Sequence, residues 1–453
     1  MVKVTDIPFA KSYDAASGKL TLRGADALPP ATLQFARENR LTTLDASDCH
    51  LGTLPDWFAD LPHLEIAFFS NNKFKTLPSV LAGCKHLRML AFKGCGLEIL
   101  GEDTLPPSLE WLILTGNKLE FLPNSIGTLK NLRKVALAGN KLGSLPDAMQ
   151  ACRAIELLRI SANDFRTSTP DWVFSLPHLA WFSEGGNPAS TKPATTDIPV
   201  IARNAITQEK LLGHSPSSEV FLARIEGMDT PAALKMFRND LTSDGYPADD
   251  MAASIAAGNH PNLMRILGRL APEAGARDGL LFALVPDTYT KLGNPPDTAT
   301  CTRDTFTQAH TLPLSLLPSI LSGIASAARH LHEKHIMHGD IYAHNSMANR
   351  ETGHAYLGDF GAAGFYDPAL RKKYEALDTR AVGALIEDLV TIASPARNNG
   401  ERAVTQQLTG LVKQCRQQDA SNCLPLAEVT NRLDYLATTC APTARATSIN
   451  ALA

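Results

Sequence analysis

Leucine recurs at fixed intervals through the first two-fifths of the chain. The pattern L-x-x-L-x-L-x-x-N/C-x-L begins at Leu41, Leu64, Leu87, Leu109, Leu132 and Ile155, with a truncated copy at Leu179, so successive copies lie 23, 23, 22, 23, 23 and 24 residues apart. Within each copy apolar positions alternate briefly, which predicts a short strand, and a polar stretch then predicts a turn. The ninth position runs Cys49, Asn72, Cys95, Asn117, Asn140, Asn163, Asn187. A chain turning away from a strand leaves backbone groups unpaired, and an inward Asn offers both donor and acceptor. Cys serves there as a small, buried, weakly polar group. Leu-Pro pairs at 54–55, 77–78, 122–123 and 145–146 mark the turn onto the far side.

One such copy cannot close a core, but stacked copies share one. This is a leucine-rich repeat (LRR), predicted as an α/β solenoid with a curved parallel sheet over residues 41–190, with residues 1–40 as its N-terminal cap region. Alternate strand positions face the concave side: Ile66, Phe68, Met89, Trp111, Ile113, Leu157 and Trp181, interspersed with Asp45, Lys134 and Arg159. Aromatic and aliphatic side chains gathered on one face form a binding surface. The expectation is a protein partner or substrate on the concave face; the alternative is that a flanking segment or a second domain covers it.

A Pro-, Ser- and Thr-rich stretch marks a linker at 191–205, and beyond it the repeat stops. Residues 280–286 predict a buried strand, and 313–336 follow a helical period ending in A-A-R-H-L-H-E-K-H-I. Then come H-G-D-I-Y-A-H-N at 338–345 and L-G-D-F-G at 357–361. This order resembles the protein-kinase catalytic loop H-R-D-x-x-x-x-N followed by D-F-G. Upstream, A-A-L-K-M-F places Lys235 where the family has its V-A-I-K lysine, and His260-Pro261-Asn262-Leu263 matches the turn after the family's regulatory helix. Downstream, Asp378 and Gly383 fit a later helix of the family. The resemblance covers 206–437 and implies an α+β bilobal protein-kinase-like fold, followed by a tail at 438–453. The whole chain resembles bacterial-type LRR protein kinases.

The resemblance implies ATP and Mg2+ as cofactors and assigns roles. Phosphoryl transfer is mostly positioning and charge stabilisation. Lys235 holds the α- and β-phosphates, paired with an acid that is Asp250 here. Asp359 and Asn345 hold the metal, and Asp340 accepts the proton of the attacking hydroxyl. Gly213, Ser215, Ser218 and Val220 cover the phosphates, and Phe282, Leu284 and Val285 complete the ATP site.

Several positions depart from the family. The phosphate loop keeps only Gly213 and Val220 of G-x-G-x-x-G-x-V, and Pro216 removes an amide donor. Asp250 is one methylene shorter than the usual Glu. Gly339 replaces the Arg that reads a phosphorylated activation loop. Tyr342 replaces a Lys that contacts the transferred phosphate, with His344 as a partial substitute or merely a loop histidine bonded to backbone. No A-P-E follows, Cys423 stands where its Arg partner belongs, and the short activation segment offers only Tyr366 and Tyr374 as hydroxyls.

Composition narrows the function. Residues 1–200 carry 20 basic and 20 acidic side chains and residues 201–453 carry 23 and 26, so no basic surplus points to nucleic acid. No apolar run approaches the roughly 20 residues of a membrane span, and the eight cysteines form no C-x-x-C pair, which predicts a reduced, cytoplasmic protein. His332, His335 and His338 are three apart, not the H-E-x-x-H of a zinc protease. The leading expectation is an ATP/Mg-dependent protein kinase acting on Ser or Thr, with the repeats recruiting substrate or regulator. A pseudokinase scaffold and a small-molecule kinase are the alternatives.

Overall fold

The computed structural model describes residues 2–191, 197–215, 217–238 and 241–440; Pro216 and most of the tail lie outside them. A nine-stranded sheet carries the repeats in strict chain order. A hairpin of Ala10–Asp14 and Lys19–Leu22 opens it, and Lys19–Leu22 pairs in parallel with Thr43–Asp45, so the cap completes the sheet. The repeat strands are three residues each, in register from Ile66–Phe68 to Trp181–Ser183.

The consensus residues do what their chemistry asks. Asn72 donates to the carbonyls of Ala46 and Phe69, both at 2.8 Å, and accepts from the Leu51 N–H at 2.9 Å. Asn117 repeats this two coils on, accepting from the N–H groups of Cys95 and Leu97. Cys95 points its thiol at the Phe69 carbonyl, and burial pushes that thiol up to about 11, so it stays neutral. After each Leu-Pro pair a single 3-10 turn follows, as at Asp56–Asp60 and Asn124–Thr128, because proline presets the extended backbone that enters it.

The second domain has two lobes. Six strands make the smaller one, in the order Val200–Ile201, Ile266–Leu270, Gly279–Ala283, Ala232–Phe237, Ser218–Ile225, Ile206–His214. Val200–Ile201 belongs to this sheet, so the second half of the expected linker is part of the lobe. Helix Pro247–Ala257 packs beside it, with proline in its first turn and Gly258 closing it at φ +64°. The larger lobe is built on helices Leu317–Glu333, Arg371–Ile392, Asn399–Cys415 and Leu426–Cys440. Gly383 lets two of these meet, since a Cβ there would lie 2.7 Å from that of Cys415.

The repeat domain does not stand apart. Leu157, Ala180 and Trp181 belong to the core of the large lobe, and Tyr366, Tyr374 and Leu377 of that lobe belong to the core of the repeats. No helix among the described residues is long and apolar enough to cross a membrane.

Candidate active site

Lys235 sits on a central strand of the small lobe, between Val220 and Leu280 on its two neighbours. Its ammonium lies 2.6 Å from Asp250 Oδ2, so the shorter acid does reach. Asp249 and Asp250 occupy the first turn of their helix, where the helix dipole favours negative charge. Burial disfavours the Lys235 charge, but Asp250 and Asp359 outweigh it and hold its pKa above the usual lysine range. Asp250 is fully buried, which pushes its pKa up against the pull of Lys235, and Ser254 donates to its second oxygen.

Asp359 adopts the left-handed conformation, φ +59°, and accepts from the Gly361 N–H at 3.2 Å. Burial works to raise its pKa, but Lys235 and that N–H bring it below the usual carboxylate value. Phe360 packs on His338, rings 5.4 Å apart, and His338 meets the Gly358 carbonyl at 3.1 Å. Buried Asp378 anchors the catalytic loop by accepting from the N–H groups of His338 and Gly339 at 2.8 and 3.0 Å, as its place in the sequence implies. His332, set aside as a zinc ligand, bonds the same carboxylate at 2.9 Å.

Asn345 donates to the carbonyl and to Oδ2 of Asp340, at 3.0 and 2.7 Å, fixing that carboxylate. An Asp carboxylate and an Asn side-chain oxygen are hard donors of the kind Mg2+ takes, so Asp359 and Asn345 fit the metal; it would neutralise phosphate charge there. Among the described residues no group of three or more His, Cys, Asp or Glu could hold a metal ion.

The nucleotide residues divide. Val220, Lys235, Phe282 and Asp359 line one apolar cavity. Ala233, Leu263, Met264 and Ile266 line it too; these were not singled out in the sequence, since small and aliphatic residues carry no signal outside their fold. Leu284 and Val285 lie outside that lining, Leu284 at 37% exposure beyond the strand end. The serines of the phosphate loop bond one another: Ser215 Oγ lies 3.0 Å from Ser217 Oγ and 3.1 Å from Ser218 Oγ. Ser218 is therefore buried and engaged, not free to cover a phosphate, while Gly213 faces open space.

The concave face departs furthest from expectation. It is covered by the second domain and is not open to a partner. Ile66 and Met89 are buried around Cys301, with Phe68 and Trp111 packed against them. Cys301 belongs to an irregular segment before helix Leu317–Glu333 that enters the horseshoe; Arg88 donates to its Thr298 carbonyl at 2.9 Å and Arg133 to Thr302 at 3.2 Å. Trp181 stacks on Tyr342, centroids 4.5 Å and planes 6° apart, and donates to the Ile341 carbonyl at 3.2 Å. Leu157 is buried beside it, and Ile113 is half-buried. An apolar face of this size gains more from burial against its own chain than from standing in water.

The departures of the catalytic loop coincide with this contact. At Gly339, φ +69°, a Cβ would lie 2.2 Å from the Phe182 carbonyl of the last repeat, so the family's Arg has no room. Tyr342 is the stacking partner of Trp181. Arg159 donates to the Gly339 carbonyl at 2.9 Å, pairs with Asp340 Oδ1, and places Nε 2.9 Å from Asp244 Oδ1. His344 is bonded to a side chain and not to backbone: its ring nitrogen and its N–H meet the carboxylate of Asp304, 40 residues away, at 2.6 and 2.9 Å. Tyr366 and Tyr374, the only activation-segment hydroxyls, are buried, stacked at 4.6 Å, and engaged by His332 and Glu184. Near Cys423, buried Arg380 reaches the carbonyls of Gln417 and Gln418 and of Leu176 and Leu179 in the repeats. Sequence reasoning missed Asp244 and Arg380, and noted Arg159 only as a concave residue.

Known proteins agree with this division. Residues 107–165 and 40–61 match leucine rich repeat models, and residues 206–379 match the model for protein tyrosine and serine/threonine kinases. Over 165 residues the chain is 30% identical to the serine/threonine-protein kinase PknF of Mycobacterium tuberculosis, covering 34% of this chain and 32% of that protein. It is 30% identical over 162 residues to Toll-like receptor 2 of Capra hircus, 36% of this chain and 19% of the receptor. A probable inactive serine/threonine-protein kinase, roco10 of Dictyostelium discoideum, is 31% identical over 141 residues, 29% of this chain and 5% of that protein. The chain thus spans at most about a third of these relatives, and their organisms do not mark it as bacterial. A leucine-rich-repeat domain and a protein-kinase domain are joined in this one chain.

Proposed function

We propose that the chain is an ATP- and Mg2+-dependent protein kinase that phosphorylates Ser or Thr hydroxyls. The observation that carries this reading is the Lys235–Asp250 pair at 2.6 Å, with Asp359 close enough to add to the Lys235 charge. A purely structural role places no demand on a buried ammonium, two carboxylates and Asn345 in this order. Lys235 would hold phosphate oxygens, Asp359 and Asn345 the metal, and Asp340 the proton of the acceptor hydroxyl. The repeats act first within the chain, so a protein substrate is recruited by surfaces other than the covered concave strands.

A scaffold that binds nucleotide without transferring phosphate is the second reading, favoured by the self-bonded serines of the phosphate loop. The two separate by phosphate transfer from γ-labelled ATP with Mg2+, for the wild type beside Asp340→Ala and Asp359→Ala. Transfer lost in both variants supports the kinase. Nucleotide-induced thermal stabilisation with no transfer by the wild type supports the scaffold.

A further inference from the structure

We propose that Arg159, carried by the repeat domain, is the positioning residue of the catalytic aspartate, so that docking of the repeats orders a catalytic loop that lacks the family's Arg at 339. This inference rests on the kinase reading above.

The catalytic loop needs its Asp held in one orientation and its backbone held in one path, because a displacement of about 1 Å at a reacting group costs about 100-fold in rate. Within the kinase domain only half of that is done. Asn345 fixes Oδ2 of Asp340, and Asp378 fixes the N–H groups of His338 and Gly339. Oδ1 of Asp340 and the Gly339 carbonyl have the same partner, the guanidinium of Arg159, 180 residues away in the chain. Arg suits this task and Lys does not, since a planar fork can hold a carbonyl and a carboxylate at once.

Arg159 is itself fixed. It is 2% exposed, stands at the end of a three-residue strand of the sheet, and faces Asp244 from the loop before helix Pro247–Ala257. That loop also docks on the repeats: at Gly139 a Cβ would lie 1.7 Å from the Leu241 side chain, and at Gly245 one would lie 3.1 Å from Ser161. The guanidinium therefore ties the catalytic loop of the large lobe to a loop of the small lobe. Because the activation segment has no free hydroxyl to carry a phosphate, this contact has no counterpart that modification could switch on. An ionised carboxylate has about four lone-pair sites, and Arg159 and Asn345 occupy two, which leaves Asp340 able to accept from a substrate hydroxyl.

The test uses the full chain, with steady-state transfer from Mg·ATP to a generic Ser/Thr protein acceptor such as casein or to the chain itself. Arg159→Gln is expected to lower kcat about 100-fold while KM for ATP changes less than about threefold, because Lys235 and Asp359 are untouched. Arg159→Lys keeps the charge but loses the fork and should recover about tenfold of the loss. If Arg159→Gln does not fold by its melting curve, Arg159→Lys decides alone: about tenfold lower kcat at unchanged KM supports the inference. A kcat that rises in either folded variant makes the contact a brake and overturns the proposal, as does a kcat equal to the wild type. No transfer by the wild type ends the kinase reading, and the inference with it; a wild type that transfers beside unaffected variants ends only the inference.

Discussion

The two sides of the cleft are held by different means. On the nucleotide side, Lys235, Asp250, Asp359 and the cavity around Val220 and Phe282 are positioned by strands and a helix of the kinase domain, and the repeats touch only the start of that helix, at Tyr246 and Asp249. On the catalytic-loop side, Gly339, Asp340, Tyr342 and the buried Tyr366 and Tyr374 lean on Arg159, Phe182, Trp181 and Glu184 of the repeats. The family's Arg and Lys give way there to Gly339 and Tyr342, where the repeat domain makes contact. Departures that look like decay within one domain become complementarity across two.

Removing residues 1–190 should break this arrangement most severely. It strips the partners of Arg380, Tyr342 and Tyr374 and leaves apolar core open to water. The expected product is aggregated or inactive, and the intact chain should unfold in one calorimetric transition; two separated transitions, with a stable and active fragment, would return the repeats to the status of a detachable module.

Restoring the family residue by Gly339→Arg should cost at least about 3 kcal/mol in denaturant unfolding, from strain at φ +69° and the collision with the Phe182 carbonyl. A variant as stable as the wild type would show that the two domains are not packed this way.

On the other side, Lys235→Met should abolish transfer and cost about 3 kcal/mol, since it strands Asp250. The double variant Lys235→Met/Asp250→Leu should regain most of that stability and none of the activity, because removing both partners relieves the buried charge. Equal losses in the single and double variants would separate the two residues energetically.

The smallest effect is a pH dependence confined to the nucleotide side. His260, in the turn between the small-lobe helix and strand Ile266–Leu270, where it packs against helix Leu317–Glu333 of the large lobe, is drawn down from 6.5 to about 4 by burial, then by His330 and Arg329. Its folded pKa lies below its unfolded one, so the unfolded chain takes the proton first. Stability is intact above about pH 6.5 and declines as pH falls towards 4, by up to about 2 kcal/mol. His260→Gln should flatten that slope in unfolding titrations, and an unchanged slope would assign it to other groups.

Much of this was written in the sequence. A period of 22–24 residues dictates a solenoid, because a leucine that one coil cannot bury must be buried by the next. The order of Lys235, the His260-Pro261-Asn262 turn, Asp340, Asn345 and Asp359 points to the cleft, because it resembles the order in which the kinase family sets its charged groups. The fate of the concave face was not legible. Its Ile66, Met89, Leu157 and Trp181 announce a surface that needs covering, and any apolar surface of matching shape can cover it. Which surface does so depends on contacts between positions up to about two hundred residues apart, as between Arg159 and Asp340, and no local pattern encodes these. Local periodicity set each domain's fold; only shape and charge matching across the assembled chain set their docking, and with it what holds the catalytic loop.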